Sequence, residues 1–227
     1  MNLSRTLSKI AIDFNLDADE LIAYADEDTE TGWDRGEGDW PEGSLWQVEG
    51  QTLYALIRAI KPKHILELGT WHGCSATHIL MAMQANDNGA ILDAVDRDTH
   101  GISPGNMIPE YLTDPFTFYL RDAMEWMTET TNQYDFIFED TNHTIELTCG
   151  LWMASKPRLS PGGFMLSHDA LHHAVGNAVR MGIKLAGGVP FTYITEPSDC
   201  GLAIEQKLYI EESNEHGYKN SGILRLR

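Results

Sequence analysis

Two groups of residues in this 227-residue chain have the types and spacing to do chemistry. The first is Ile65-Leu-Glu67-Leu-Gly69-Thr-Trp-His-Gly73-Cys-Ser75. It reads as a strand, a glycine turn and a helix start. Gly69 lets the backbone turn sharply after the strand, and Gly73 lets a ligand approach the main chain closely. Ser75 falls near the first helical turn, where a hydroxyl and free N–H groups hold a carboxylate. The spacing is G-x-x-x-G, and Trp71 stands where a dinucleotide motif has its second glycine, which disfavours a close pyrophosphate. Glu67, two residues before the turn, offers a carboxylate to a cationic ligand; the plainer alternative is a polar strand end. Asp96 closes Leu92-Asp-Ala-Val-Asp96, where an acid accepts from both hydroxyls of a ribose, or is simply a solvated turn residue. Asp93 is the weaker candidate because it lies inside the strand. Asp122 either accepts from an adenine amino group or caps the following helix.

The second group is Asp140, His143, His168 and Asp169. Asp140 and Asp169 each end an apolar run. Neighbouring strands lie about 4.8 Å apart, so the two carboxylates can share one cation. Oxygen ligands with open positions suit Mg²⁺, which would lower the pKa of a bound hydroxyl and position it. His143 titrates near neutrality and can take a hydroxyl proton, or it is a capping histidine at the edge of the core.

Positioning these residues requires an alternation of elements. Strand-like runs fall at Ile65–Leu68, Ile91–Val95, Phe116–Leu120, Tyr134–Phe138 and Phe164–Ser167. Helical stretches fall between and after them, at Ser75–Met83, Ala123–Thr128, Ile145–Lys156 and Val175–Ala186. Strand followed by helix implies crossover connections and a parallel sheet covered on both faces. Val189–Thr195 and Leu202–Glu205 flank the turn-rich Pro-Ser-Asp-Cys-Gly and read as a hairpin, so one late strand should run antiparallel. The expectation is an α/β, Rossmann-like, doubly wound, mostly parallel seven-stranded sheet with an antiparallel C-terminal strand. Upstream, Leu3–Tyr24 carries helical spacing, residues 28–44 read as a loop, and Gln47–Ile60 is a helix ended by Pro62. The division expected is an N-terminal helical and loop extension over 1–46 and a ligand-binding domain over 47–227.

Composition narrows the partners. The formal net charge is −18, which opposes binding to a phosphate backbone. No apolar run approaches the ~20 residues of a membrane span, and the N-terminus lacks the pattern of a signal peptide. The three cysteines, Cys74, Cys149 and Cys200, have no metal-like spacing and suggest reduced thiols in a cytoplasmic setting. Residues 17–42 hold eleven acidic side chains and one basic one. They form a solvated entry segment or a lid over the substrate. Self-association is left open.

Glu67-Leu-Gly69-x-x-x-Gly73-x-Ser75, Asp96, Asp122-Ala123, Phe136-Ile-Phe-Glu-Asp140-x-Asn-His143 and Pro161-Gly-Gly163 before His168-Asp169 resemble, in order and spacing, class I S-adenosylmethionine-dependent methyltransferases. The resemblance runs over about Gln47 to Gln206. It is closest to small-molecule O-methyltransferases of the catechol and caffeoyl-CoA type, and closer still to the macrolide-sugar and cephalosporin-pathway branch. It implies S-adenosylmethionine held by Glu67, Gly69, Gly73, Ser75, Asp96, Asp122 and Asp140, and a small-molecule acceptor with no nucleic acid or membrane partner. It also implies a base at His143, assisted by Asp140, since these families keep a lysine or histidine there. A divalent cation, Mg²⁺ or Mn²⁺, would lie on Asp140, His168 and Asp169. The third ligand departs from the pattern: the catechol type has an asparagine where Ala170 stands, and the sugar branch an acid where His168 stands. Two carboxylates and an imidazole suit Mn²⁺, Fe²⁺ or Zn²⁺ better than Mg²⁺, and the departure leaves open a site without metal. The other function class is an S-adenosylmethionine binder on the same fold that transfers no methyl group. A nucleic-acid methyltransferase is disfavoured by the charge and by the lack of an Asn/Asp-Pro-Pro-aromatic motif.

Overall fold

The computed structural model describes residues 3–29, 41, 43–97, 103–194, 198 and 200–207. The first helical stretch is two helices. α1 (Leu3–Phe14) buries Leu7, Ile10, Ala11 and Phe14, an i, i+3, i+4, i+7 stripe. It stops at Asn15, whose φ of 54° is left-handed. Asp17 then accepts from the amides of Asp19 and Glu20 and starts α2 (Ala18–Thr29). α3 (Gln47–Ile60) ends at Lys61, also left-handed, with Pro62 beyond.

From there strands and helices alternate: β1 (His64–Leu68), α4 (Cys74–Asn86), β2 (Ile91–Asp96), β3 (Phe116–Leu120), α5 (Ala123–Glu129), β4 (Tyr134–Glu139), α6 (Ile145–Ser155), β5 (Leu159–Ser167) and α7 (Gly176–Leu185), then β6 (Phe191–Tyr193) and β7 (Leu202–Gln206). The sheet order is β3-β2-β1-β4-β5-β7-β6. β1 pairs in parallel with both β2 and β4. The chain therefore winds outward in both directions from β1 and β4, and a crevice opens at their carboxyl ends. β7 runs antiparallel to β5 and β6. The hairpin read from the sequence thus adds its second strand inside its first. β5 begins earlier than its apolar run because Pro161-Gly-Gly163 is drawn into the strand, across a register shift opposite Tyr134–Phe136.

Alternate strand residues face two apolar layers. Phe136, Phe138, Phe164 and Leu166 pack with Leu53, Leu56, Ile79 and Leu80, and the α1 stripe joins this same cluster. Leu66, Leu68, Ile137 and Met165 pack on the other side with Leu151, Trp152 and Ile183. The residues expected as an N-terminal extension therefore share a core with the sheet, so α3 has fixed neighbours on both sides. Among the described residues no helix is long and apolar enough to cross a membrane.

Candidate active site

A cavity of about 380 Å³ lies over the carboxyl ends of the central strands. Its floor is the turn from β1 to α4. Gly69 has φ +91°, and a Cβ there would sit 2.1 Å from the carbonyl oxygen of Asp140, so only glycine lets the two strand ends approach. Gly73 has φ +93°, and a Cβ there would meet Ile108 at 2.5 Å. The close approach expected at Gly73 is therefore made by the protein's own chain. The stretch around Gly105 and Ile108 braces this turn from outside: the Gly105 amide donates to Trp71 O and the Met107 amide to His72 O. Residues 30–40 and 42 of the acidic entry segment lie outside the described residues.

Four acids surround the cavity. Asp96 Oδ2 accepts from the amides of Thr70 (3.0 Å) and Trp71 (2.8 Å), tying the end of β2 to the turn. Asp122 is an N-cap: Oδ1 accepts from the amides of Met124 and Glu125, while Oδ2 lies 3.5 Å from Arg97. Capping is thus the alternative that the geometry supplies for Asp122, although the residue also lines the cavity. Asp140 lines the same cavity. Glu67 is fully buried on β1 and accepts from the Ser75 hydroxyl at 2.5 Å. The carboxylate that Ser75 holds is therefore the protein's own. Burial pushes the Glu67 carboxyl up to about 8, reinforced by the charges of Asp140 and Asp96 and opposed by the Ser75 hydroxyl. Asp93 serves a different purpose from the cavity acids. It is buried against His64, Tyr119 and Tyr134.

Three buried oxygens at this site have no hydrogen-bond partner among the described residues: Glu67 Oε2, Thr70 Oγ1 and Ser44 Oγ. Buried polar atoms are rarely left unsatisfied. Ser44 and Thr70 line the cavity, so a ligand with an ammonium and a carboxylate on a short aliphatic tail, joined to a nucleoside, would bring polar groups to them, and S-adenosylmethionine has that form. Ser44 was not singled out from the sequence. Its loop residue type carries no signal, and only the packing of the segment before α3 brings it here.

Beyond Asp140, two imidazoles and two carboxylates form a ring of contacts. His143 Nε2 lies 3.0 Å from Asp169 Oδ2 and 3.4 Å from Asp140 Oδ1. His168 Nδ1 lies 3.2 Å from Asp140 Oδ1 and 3.5 Å from Asp169 Oδ1. Asp169 has φ +57°, unusual for a residue with a Cβ. His143 Nδ1 is buried and has no partner among the described residues. Burial would lower the His143 pKa, but the hydrogen bond to Asp169 and the charges of Asp140 and Asp169 outweigh it and raise it above the usual value. Burial likewise opposes protonation of His168, and Asp140 reverses this, leaving its pKa well raised. Asp169 is held well below the usual carboxylate range by the two imidazoles, against the effect of burial.

The expected cation set, Asp140, His168 and Asp169, meets around His168 Nδ1. Among the described residues, the donors that converge within 4.8 Å of one another are those of Glu49, His168 and Cys200. Both nitrogens of His168 face carboxylates, Asp140 on one side and Glu49 Oε2 at 3.0 Å on the other.

Residues 66–170 match the model of a family described as a methyltransferase domain. Crystal structures share the fold at low identity. Cofactor-bound Rv0187 from MTB is 14% identical, with a TM-score of 0.62 over 82% of this chain and 89% of that one. An O-methyltransferase from Bacillus cereus in complex with SAH is 14% identical, with a TM-score of 0.57 over 80% and 90%. TomG from Streptomyces achromogenes, an O-methyltransferase involved in tomaymycin synthesis and solved with SAM, is 15% identical, with a TM-score of 0.58 over 86% and 92%. No curated protein sequence matches the chain. The chain has the fold of these methyltransferases, and residues 66–170 match a methyltransferase-domain model.

Proposed function

We propose that this protein is an S-adenosylmethionine-dependent O-methyltransferase acting on a small-molecule hydroxyl, with His143 as the base. The observation that carries the reading is the placement of Asp140. It lines the cofactor cavity and also touches His143, so the base and the cavity share one wall. Glu67, Thr70 and Ser44 are the groups that would hold the amino-acid tail, and Asp96 the ribose. Bound S-adenosylmethionine supplies the methyl group. Asp169 accepts the Nε2–H of His143 and fixes the tautomer with its lone pair on Nδ1, the atom left to take the hydroxyl proton. Asp140 and Asp169 then stabilise the imidazolium, as the acid does in other acid-oriented histidine bases. No step is assigned to a divalent cation.

The test is methyl transfer from S-adenosylmethionine to a panel of phenols and sugars. His143→Ala should lose roughly 10²–10⁴ in kcat, the usual share of general-base catalysis, while affinity for S-adenosylhomocysteine stays the same. EDTA should leave the wild-type rate unchanged. A His143→Ala variant with the wild-type rate would remove the base assignment.

A further inference from the structure

His168 is held from behind by a residue with no place in the cavity. Glu49, in the first turn of α3, has 0% of its surface exposed. Its Oε2 accepts from the Trp46 amide at 3.2 Å and lies 3.0 Å from His168 Nε2. Its Oε1 accepts from the Ser198 hydroxyl at 2.8 Å and the Gly201 amide at 3.1 Å. One buried carboxylate thus joins the start of α3, the connection between β6 and β7, and the imidazole that follows β5. His168 has only 4% of its side chain exposed, and its backbone amide is tied to Glu139 O of β4. With each nitrogen within hydrogen-bond distance of a carboxylate, its ring cannot rotate without breaking a contact on each side. The opposite nitrogen carries that constraint to Asp140, and Asp140 and Asp169 carry it to His143.

We propose that Glu49 is a positioning residue for the acceptor end of the site. It orients the ring of His168 against Asp140 and Asp169, and through these acids the ring of His143. The proposal rests on the reading of His143 as the base. It goes beyond that reading by giving the first turn of α3 control over a base that lies 94 residues downstream of Glu49 in sequence.

The test uses the full chain with S-adenosylhomocysteine bound and reads side-chain imidazole signals by NMR. Wild-type His168 should show a hydrogen-bonded Nε2–H proton. Glu49→Gln keeps the Oε1 acceptor for Ser198 and Gly201, but it should lose the His168 Nε2–H signal and shift both ring signals of His143, which Glu49 does not touch. S-adenosylhomocysteine affinity should stay within about twofold of wild type. His168→Gln, which leaves Glu49 and its backbone bonds in place, should shift His143 in the same way. The double variant should shift it no further, because coupled residues are non-additive. If Glu49→Gln fails to fold, His168→Gln still decides: unmoved His143 signals overturn the proposal. Additive shifts also overturn it. So does one equivalent of zinc bound to the wild type and lost in Cys200→Ser, which would make Glu49, His168 and Cys200 a metal centre. The base reading fails separately, through undiminished methyl transfer by His143→Ala with the NMR linkage intact.

Discussion

Glu67 should make cofactor binding depend on pH, and Glu67→Gln isolates the effect. Its carboxyl is fully buried and rises from an ordinary 4.5 to about 8. At about 1.4 kcal/mol per pKa unit, the protonated form is favoured in the folded chain by up to about 5 kcal/mol. The native chain therefore keeps a proton that the unfolded chain releases above about pH 4.5. Stability should fall as pH rises between about 4.5 and 8, with the whole penalty present above 8. Glutamine removes that titration and keeps an Oε1 acceptor for the Ser75 hydroxyl. The unliganded variant should thus be more stable than wild type at pH 9 by a few kcal/mol and show little gain at pH 4. Binding reverses the preference. An ammonium against Glu67 Oε2 restores the carboxylate, so S-adenosylhomocysteine should release close to one proton at pH 7. Its affinity should rise about tenfold per unit between about pH 6 and 8 and level off above that. Calorimetry in buffers of different ionisation enthalpy counts the proton, and denaturant titrations at pH 4 and 9 give the stability difference. A wild type that binds without proton release, with the same pH profile as Glu67→Gln, would refute the argument that burial of Glu67 is relieved by the cofactor's ammonium.

Other substitutions probe the turn, the caps and the base. Asp96→Ala removes the acceptor for two turn amides as well as the proposed ribose contact, and should weaken S-adenosylhomocysteine binding by about 1.5–3 kcal/mol; unchanged affinity in calorimetry takes Asp96 out of the site. Gly69→Ala forces a Cβ against Asp140 O at a positive φ, and thermal melts should show a loss of about 3–5 kcal/mol; a variant as stable as wild type contradicts the close approach of the strand ends. Asp122→Ala should cost about 1 kcal/mol as a lost N-cap and change cofactor affinity little, whereas a drop of tenfold or more would restore the adenine contact. The His143 pKa is raised, so kcat should climb with pH through a value above the ordinary 6.5; a rate that falls over that range speaks against a neutral imidazole as base.

The strands, the turn glycines and the strand-end acids were legible in the sequence because each depends on local physics. Period-2 apolar runs must face two layers, and a positive φ after a strand demands glycine. An acid between a strand and a helix, such as Asp122, satisfies free amides. The parallel, doubly wound sheet followed from crossover connections once the strands were recognised, and only the structure supplied its order, β3-β2-β1-β4. Local signals also misled. The helical spacing of Leu3–Tyr24 ran through Asn15, where the structure turns left-handed and Asp17 starts a second helix. The charge environment of the second site was not legible at all. His168 was read as a cation ligand because it stands beside Asp169, and no local signal shows what faces its other nitrogen. That is Glu49, 119 residues away in sequence. Likewise the orphaned hydroxyl of Ser44 and the buried state of Glu67 come from how α1, α2 and α3 close on the sheet. Sequence spacing decided which groups stand at the strand ends. Tertiary packing decided which of them are desolvated, which are paired, and so which remain free to meet a ligand.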